Sequence, residues 1–443
     1  MDIIFFGTFM HSTKEHSLQI LENHYIGIND GQIQFLTDKE DFERLAAKFS
    51  YNLQSVRHLK PGQFLIPGLV DTHIHASQYP NAGSKMDLPL LDWLEKYTFP
   101  LEAKFSDLEF AEKCYRKVVA RTLKNGTTTA CYFATIHPES SLKLGEICDE
   151  YGQRAYIGKV SMDISSHSNY TETTEKSIRD TRWFIESIKK LNNPLVTPCI
   201  TPRFAVNCSP SLLRALGNIA KEYGGLPIQT HINETVRERE SVLKLFPKHD
   251  SYAHIYESFG LLTNKTVMAH CVYMNDCEFD TFKETEAGIS HCPTSNTMLQ
   301  SGIMDLRKSL DKGVKIGLGT DISGGYSASV QAAIRDGVGA SKTLGMDKSK
   351  SYKPVDFKEL FRLATLGGSK VLGLDDKIGN FKVGKEFDAL LIDLTVTDSP
   401  CDIFGDEISE DLLQKFIFLG DDRNIVEVYV KGQQRLQNNN FLC

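Results

Sequence analysis

The sequence has no apolar run approaching the length of a bilayer crossing, which argues against a membrane protein. It has no excess of positive charge either: 50 Lys and Arg stand against 57 Asp and Glu, a formal net charge of -7. Nucleic-acid polymers are bound by basic surfaces, so this balance argues against such a partner and for a small neutral or polar ligand. The ten cysteines form no Cys-x-x-Cys pair and no compact framework. Without a secretory leader they read as free thiols, many of them buried, and Cys271 and Cys292 read as core thiols although they lie close to candidate site residues. The start, Met1-Asp2-Ile3-Ile4-Phe5-Phe6-Gly7, lacks a basic leader and reads as a first strand, which makes the cytoplasm the expected location. Internal repeats, low-complexity segments and phosphate-loop spacings are absent. Gly324-Gly325 and Gly367-Gly368 read instead as turns or points of close helix packing.

What is present is ordinary globular composition, 41% hydrophobic and 24% charged, over 443 residues, enough for one large barrel and a small attached domain. Up to about Ile66 short β-rich runs alternate with turns: Ile3 to Phe6, Tyr25 to Asn29, Gln32 to Leu36 and Gln54 to His58, with Asn29-Asp30-Gly31 as a hairpin turn. From Phe64 the pattern changes to apolar runs alternating with amphipathic helical segments. Eight candidate strands follow: Phe64 to His73, Thr127 to Ala134, Ala155 to Ser161, Leu195 to Thr201, Leu226 to His231, Thr266 to Cys271, Ala287 to His291 and Val314 to Asp321. Helical patterns fall at Asp107 to Lys124, Glu172 to Lys190, Ser209 to Tyr223 and Asn275 to Thr285. The expected fold is α/β, a (β/α)8 TIM-like barrel over residues 67–377. After a helix near Phe357 to Leu372 the chain turns β-rich again, at Phe387 to Asp393, Ile425 to Val430 and Gln433 to Leu436. Residues 1–66 and 378–443 are therefore expected to join as one small β-sandwich domain.

In such a barrel the active site lies at the C-terminal ends of the strands. The first run ends at His73 and His75, which alternate pleats turn to one face, the fifth at His231, the sixth at His270 and the eighth at Asp321. Each alone is more simply a satisfied core or loop residue, or for Asp321 a helix N-cap. Converging on one barrel mouth, they read as a metal site. Three neutral imidazoles and a carboxylate with a position left for water form a catalytic arrangement, and an ion there lowers the water's pKa towards neutrality. The fourth run contains no lysine to bridge two metals, and Lys159 on the third is expected to be solvated or ion-paired, which favours a single ion. Glu234, three residues past His231, is either a helix-start acid or a proton shuttle; the metal context favours the shuttle.

Together Pro67 to His75, His231-Ile232-Asn233-Glu234, His270 and Gly319-Thr320-Asp321 resemble the amidohydrolase superfamily. Further segments resemble its guanine deaminase family: His75 to Tyr79, Asp87 to Leu94, Asn125 to Phe133, Thr201 to Phe204, Gly319 to Ser327 and Leu419 to Ile425. The likeness runs from about Gly7 to about Gly432. It implies one zinc ion per subunit on His73, His75, His231 and Asp321, with His270 near the ion or bonded to its water. It implies catalysis by Glu234, His270 and Asp321. Contacts with the purine base guanine are implied for His75, Gln78, Arg203, Phe204, His231, Glu234 and Asp321, Arg203 and Phe204 holding the carbonyl edge and the ring. Hydrolytic attack at C2 would release ammonia and leave xanthine, a step of purine catabolism, with Glu234 protonating N3 and Asp321 moving a proton to the leaving amine. A homodimer is also implied. Two other readings stay open: a single-zinc aminohydrolase of another ring, such as an adenosine-type nucleoside or a triazine, and a catalytically silent scaffold on the same fold.

Overall fold

The computed structural model describes residues 3–165 and 169–442; the expectations for Met1, Asp2 and the Cys443 thiol lie outside them. The terminal β-rich segments do meet, in one nine-stranded sheet. Its order runs Asn440–Phe441, Gln433–Gln437, Ile425–Val430, Ala389–Asp393, Gln63–Pro67, Ile3–His11, Gln19–Asn29, Gln32–Thr37, with Val56–His58 added beside Ile3–His11. The Asn29-Asp30-Gly31 turn joins Gln19–Asn29 to Gln32–Thr37 as an antiparallel hairpin. Its positive φ angles, 46° at Asp30 and 76° at Gly31, match the right-handed twist of the strands it joins. Side chains of its own strands, with Phe387 beside them, form an apolar cluster of Phe5, Phe9, Ile26, Ile28, Leu65, Phe387, Leu391 and Tyr429.

The remaining strands are parallel. Leu69–His75, Thr127–Phe133, Arg154–Gly158 and Val196–Pro198 pair in sequence, and so do Ile228–Ile232, Thr266–His270, Gly288–His291 and Lys315–Leu318. A parallel bridge from Ile200 to Ile228 links the two sets on one side. On the other, Asp321 N donates to His73 O at 2.9 Å and His75 N to Ile322 O at 3.2 Å. Both faces of such strands are covered, so they read as unbroken runs of β-branched and aromatic residues; Thr127–Phe133, Thr-Thr-Thr-Ala-Cys-Tyr-Phe, is buried throughout.

Helices begin where the sequence offers caps. Asp107 accepts from Glu109 N and Phe110 N ahead of Leu108–Lys124, and Asn275 and Glu278 form a reciprocal capping box ahead of Asp276–Thr285. Close packing explains one glycine pair: a Cβ on Gly368 would lie 2.8 Å from Val70 Cβ, and one on Gly367 2.7 Å from Ile316 O.

Three expected strands need correction. The run Phe64 to His73 is two strands in two sheets, Gln63–Pro67 and Leu69–His75, divided at Gly68, whose N donates to Asp388 O. The third divides into Arg154–Gly158 and Val160–Ser161, and the fourth into Val196–Pro198 and Thr201–Pro202, with the two short pieces paired to each other. Pro198 and Pro202 lack the N–H a continuous ladder needs. The nine described cysteines are free, and all but Cys277 are buried. Among the described residues no helix is long and apolar enough to cross a membrane.

Candidate active site

The ends of four parallel strands supply one buried cluster. His73 and His75 close Leu69–His75, with ring centroids 5.0 Å apart. Their pairing with the neighbouring strand slips between Asp71 and Ile74, so His73 sits at an irregularity rather than in a regular pleat. Asp71 secures this stretch: Oδ1 accepts from His73 N at 3.2 Å and Thr320 N at 3.1 Å, and Oδ2 from Thr320 Oγ1 at 2.5 Å. His270 and Asp321 reach the cluster from backbone with φ of 74° and 46°, and Asn233, just before Glu234, has φ 50°. For side chains with a Cβ such conformations cost about 1–3 kcal/mol each.

The donor atoms fit a cation. His75 Nε2 and His231 Nε2 face each other at 3.1 Å, and Asp321 Oδ1 lies 3.1 Å from His73 Nε2 and 3.4 Å from His75 Nε2. His231 Nδ1 donates to Arg203 O at 2.6 Å, which leaves its Nε2 a bare lone pair pointing at the centre. His73 Nε2 is buried, and the Asp321 carboxylate is the polar group that faces it. Burial holds the His73, His75 and His231 imidazoles below the usual histidine range, hence neutral. Burial alone would raise Asp321, yet His73, His270 and His75 around it hold its carboxyl well below the usual range. Neutral nitrogens and one carboxylate crowded without protons to share are a ligand set for a divalent ion. Ligand atoms of His73, His75 and Asp321, and of His73, His231 and His270, lie within 4.8 Å of one another.

His270 is a different kind of group. Its Nδ1 donates to Asn296 Oδ1 at 2.9 Å, while Nε2 lies 3.4 Å from Glu234 Oε2 and 3.7 Å from Asp321 Oδ2. Burial depresses it, but the two carboxylates outweigh burial and raise it above the ordinary value. Glu234 does not cap the following helix, a role taken by Thr235 ahead of Val236–Leu245. It is buried, accepts from Ser301 Oγ at 3.0 Å, and is raised by desolvation, so it holds a proton more readily than an exposed acid.

The cleft in front of this cluster encloses about 370 Å³ including its open mouth. Gln78, Arg203 and Phe204 line it beside the site histidines, with Leu90, Trp93, Leu94 and Leu299 as its apolar walls. All the expected site residues thus converge. Arg203 pairs with the buried Glu102, and Lys159 is ion-paired, the second of its two expected roles: its ammonium donates to both oxygens of buried Glu172 at 2.7 Å. Sequence reasoning missed Glu102, Ser301 and Asn296. Asn296 carries a signal in its position just past the seventh strand, Gly288–His291; nothing in the sequence around Glu102 marks it.

A model of the amidohydrolase family matches residues 64–435, and the chain belongs to that family. Its relatives are narrower in kind. Guanine deaminase of Homo sapiens is 52% identical over 437 residues, covering 97% of this chain and 96% of that one. Guanine deaminase of Mus musculus is 51% identical over 438 residues, covering 98% and 96%. Among solved structures, guanine deaminase from C. acetobutylicum with bound guanine in its active site superposes with a TM-score of 0.90 at 37% identity, covering 98% of this chain and all of that one.

Proposed function

We propose that this protein is a guanine deaminase, hydrolysing guanine to xanthine and ammonia with one zinc ion per chain held by His73, His75, His231 and Asp321. The carrying observation is the pair of buried imidazole nitrogens, His75 Nε2 and His231 Nε2, facing each other 3.1 Å apart beside Asp321. Full-length similarity to guanine deaminases supports the substrate. When bound, zinc would supply Lewis acidity that brings a water's pKa towards neutrality.

The chain's own residues do the rest. Phe204 and the apolar walls hold the purine and exclude bulk water, while Gln78 and Arg203 donate to its carbonyl edge. His270 and Asp321 orient the attacking water towards C2, and Asp321 takes a proton from it. Glu234 gives its proton to N3, Asp321 passes the proton taken from water to the departing amine, and the remaining hydroxyl proton returns to Glu234 as the C2 carbonyl forms. Deamination requires both transfers, because addition at C2 puts negative charge on N3 and the amino group must depart as ammonia rather than as an amide anion.

The same proposal includes closure of the parallel strands into a (β/α)8 barrel over residues 67–377, supported by the backbone bonds between the Asp321 and His73 segments. It makes residues 1–66 and 378–443 a small β-sandwich domain, supported by the shared sheet and its apolar cluster. It also includes a cytoplasmic homodimer acting in purine catabolism; light scattering of the purified protein tests the dimer. The central test is an ultraviolet assay of guanine conversion to xanthine with and without chelator. Turnover lost on chelation and restored by zinc is expected; a metal-free chain inert towards guanine would favour the scaffold reading. A panel of guanine, adenine, cytosine and adenosine, read by ammonia release, separates the other aminohydrolase readings.

A further inference from the structure

Glu102, on the short helix Phe99–Ala103, is fully buried and takes no part in the steps above. Its carboxylate is committed to two of the side chains that face the base. Oε2 accepts from Arg203 Nη1 at 2.5 Å, and Oε1 accepts from Arg203 Nη2 at 3.3 Å and from Gln78 Nε2 at 3.0 Å. Gln78 is held at its other end too, its Oε1 accepting from Ser323 N at 3.2 Å. The Arg203 guanidinium lies over the Phe99 ring at 4.8 Å. Neither recognition side chain is free to choose a rotamer once Glu102 is in place.

Two consequences follow from this geometry. A bidentate pair fixes the plane of the guanidinium, so its remaining N–H groups point in set directions. The pair is also neutral overall, so the guanidinium lining the cleft attracts a ligand as an oriented donor rather than as a bare positive charge. A paired arginine suits a neutral ring carbonyl; an unpaired one would favour an anion.

We propose that Glu102 is a positioning residue that sets the specificity of the cleft for a neutral base with a ring carbonyl, by aiming Arg203 and Gln78 and cancelling the guanidinium charge. This rests on the guanine deaminase reading. It extends that reading from the residues that touch the base to the buried group that decides how they touch it. It also bears on product release, because xanthine ionises more readily than guanine and a charge-cancelled Arg203 does not retain its anion.

The test compares guanine with 2-aminopurine, which keeps the C2 amino group and lacks the carbonyl, in the zinc-loaded protein and in Glu102→Asp and Glu102→Gln. Glu102→Asp keeps the buried charge pair and moves the carboxylate by one methylene, so it remains measurable if the Gln variant fails to fold. For guanine, kcat/KM is expected to fall about 10²-fold, mostly through KM, as for an ångström-scale misplacement of a binding group. For 2-aminopurine it should hold, so that the preference between the two collapses with zinc content unchanged. In Glu102→Gln, inhibition by xanthine should tighten as pH rises and the product ionises. Parallel loss on both substrates would make Glu102 merely structural and overturn the proposal, as would an unchanged preference in Glu102→Asp. An unmodified protein that does not turn over guanine would sink the reading of the site itself, which the variants alone cannot do.

Discussion

His11 in the terminal sheet and His73, His75 and His231 of the cleft are all buried and all held neutral by burial, yet they are opposite in what surrounds them. His11 Nδ1 accepts from Phe381 N at 3.0 Å, its Nε2 pairs with Gln19 Oε1 at 3.1 Å, and its ring stacks on Phe381 at 5.7 Å. Both nitrogens are occupied by the fold. In the cleft, His75 Nε2 and His231 Nε2 face each other at 3.1 Å, and His73 Nε2 meets the Asp321 carboxylate at 3.1 Å. Burial and a depressed pKa therefore do not mark a ligand; imidazole nitrogens converging beside a carboxylate do. The first arrangement completes itself with protein groups, and the second is completed only by a cation.

The strongest way to break that comparison is to remove the cation or one of its ligands. Chelation, or His231→Ala, should lower metal content and cost guanine turnover at least about 10³-fold, since a metal supplies several kcal/mol of transition-state stabilisation. Metal analysis beside ammonia release reads both effects, and a His231→Ala protein with full activity would end the ligand assignment. Next in size is Glu234→Gln, which keeps the shape and the Ser301 contact but removes the titrating proton. A loss of about 10²–10⁴ in kcat with normal zinc content is expected; retained activity would take Glu234 out of proton transfer.

Arg203→Ala sharpens the contrast from the recognition side. It deletes one half of a buried pair and leaves Glu102 desolvated, so a loss of about 3–5 kcal/mol in denaturant unfolding should accompany impaired guanine turnover, with zinc binding much less affected. Unchanged guanine kinetics would remove Arg203 from the recognition surface, and unchanged stability would show that water reaches Glu102.

These residues also show what was legible in sequence. Strand-end histidines and Asp321 could be found because a parallel α/β pattern says where a site must be, and helical periodicity located the helices beginning at Leu108 and Asp276 to within a residue. The break at Gly68 was not legible: Phe64 to His73 is apolar and extended on both sides, and only pairing partners far along the chain, Ala389–Asp393 and Thr127–Phe133, assign the halves to different sheets. Glu102 was hidden for a related reason. Its partners, Gln78 and Arg203, lie 24 and 101 residues away, and no local periodicity encodes a pair made by tertiary packing.

The smallest expected effect lies in the sheet and tests the other side of the comparison. Burial lowers the His11 pKa to about 4, with the Gln19 bond opposing the shift and Lys385 adding to it. Protonation would also take the Nδ1 lone pair that receives Phe381 N. Because the folded value lies below the unfolded value of 6.5, the unfolded chain binds the proton first. The stabilisation from neutral His11 is present above pH 6.5 and is lost as pH falls through about 4, by about 3 kcal/mol at most. Denaturant unfolding between pH 7 and 4 should therefore be less pH-dependent in His11→Gln than in the unmodified protein, while guanine turnover at pH 7 stays unchanged. Equal slopes would mean that His11 keeps partners or solvent in its charged form. Lost turnover would mean that the sheet and the cleft are coupled, and that a fully partnered histidine is not merely structural here.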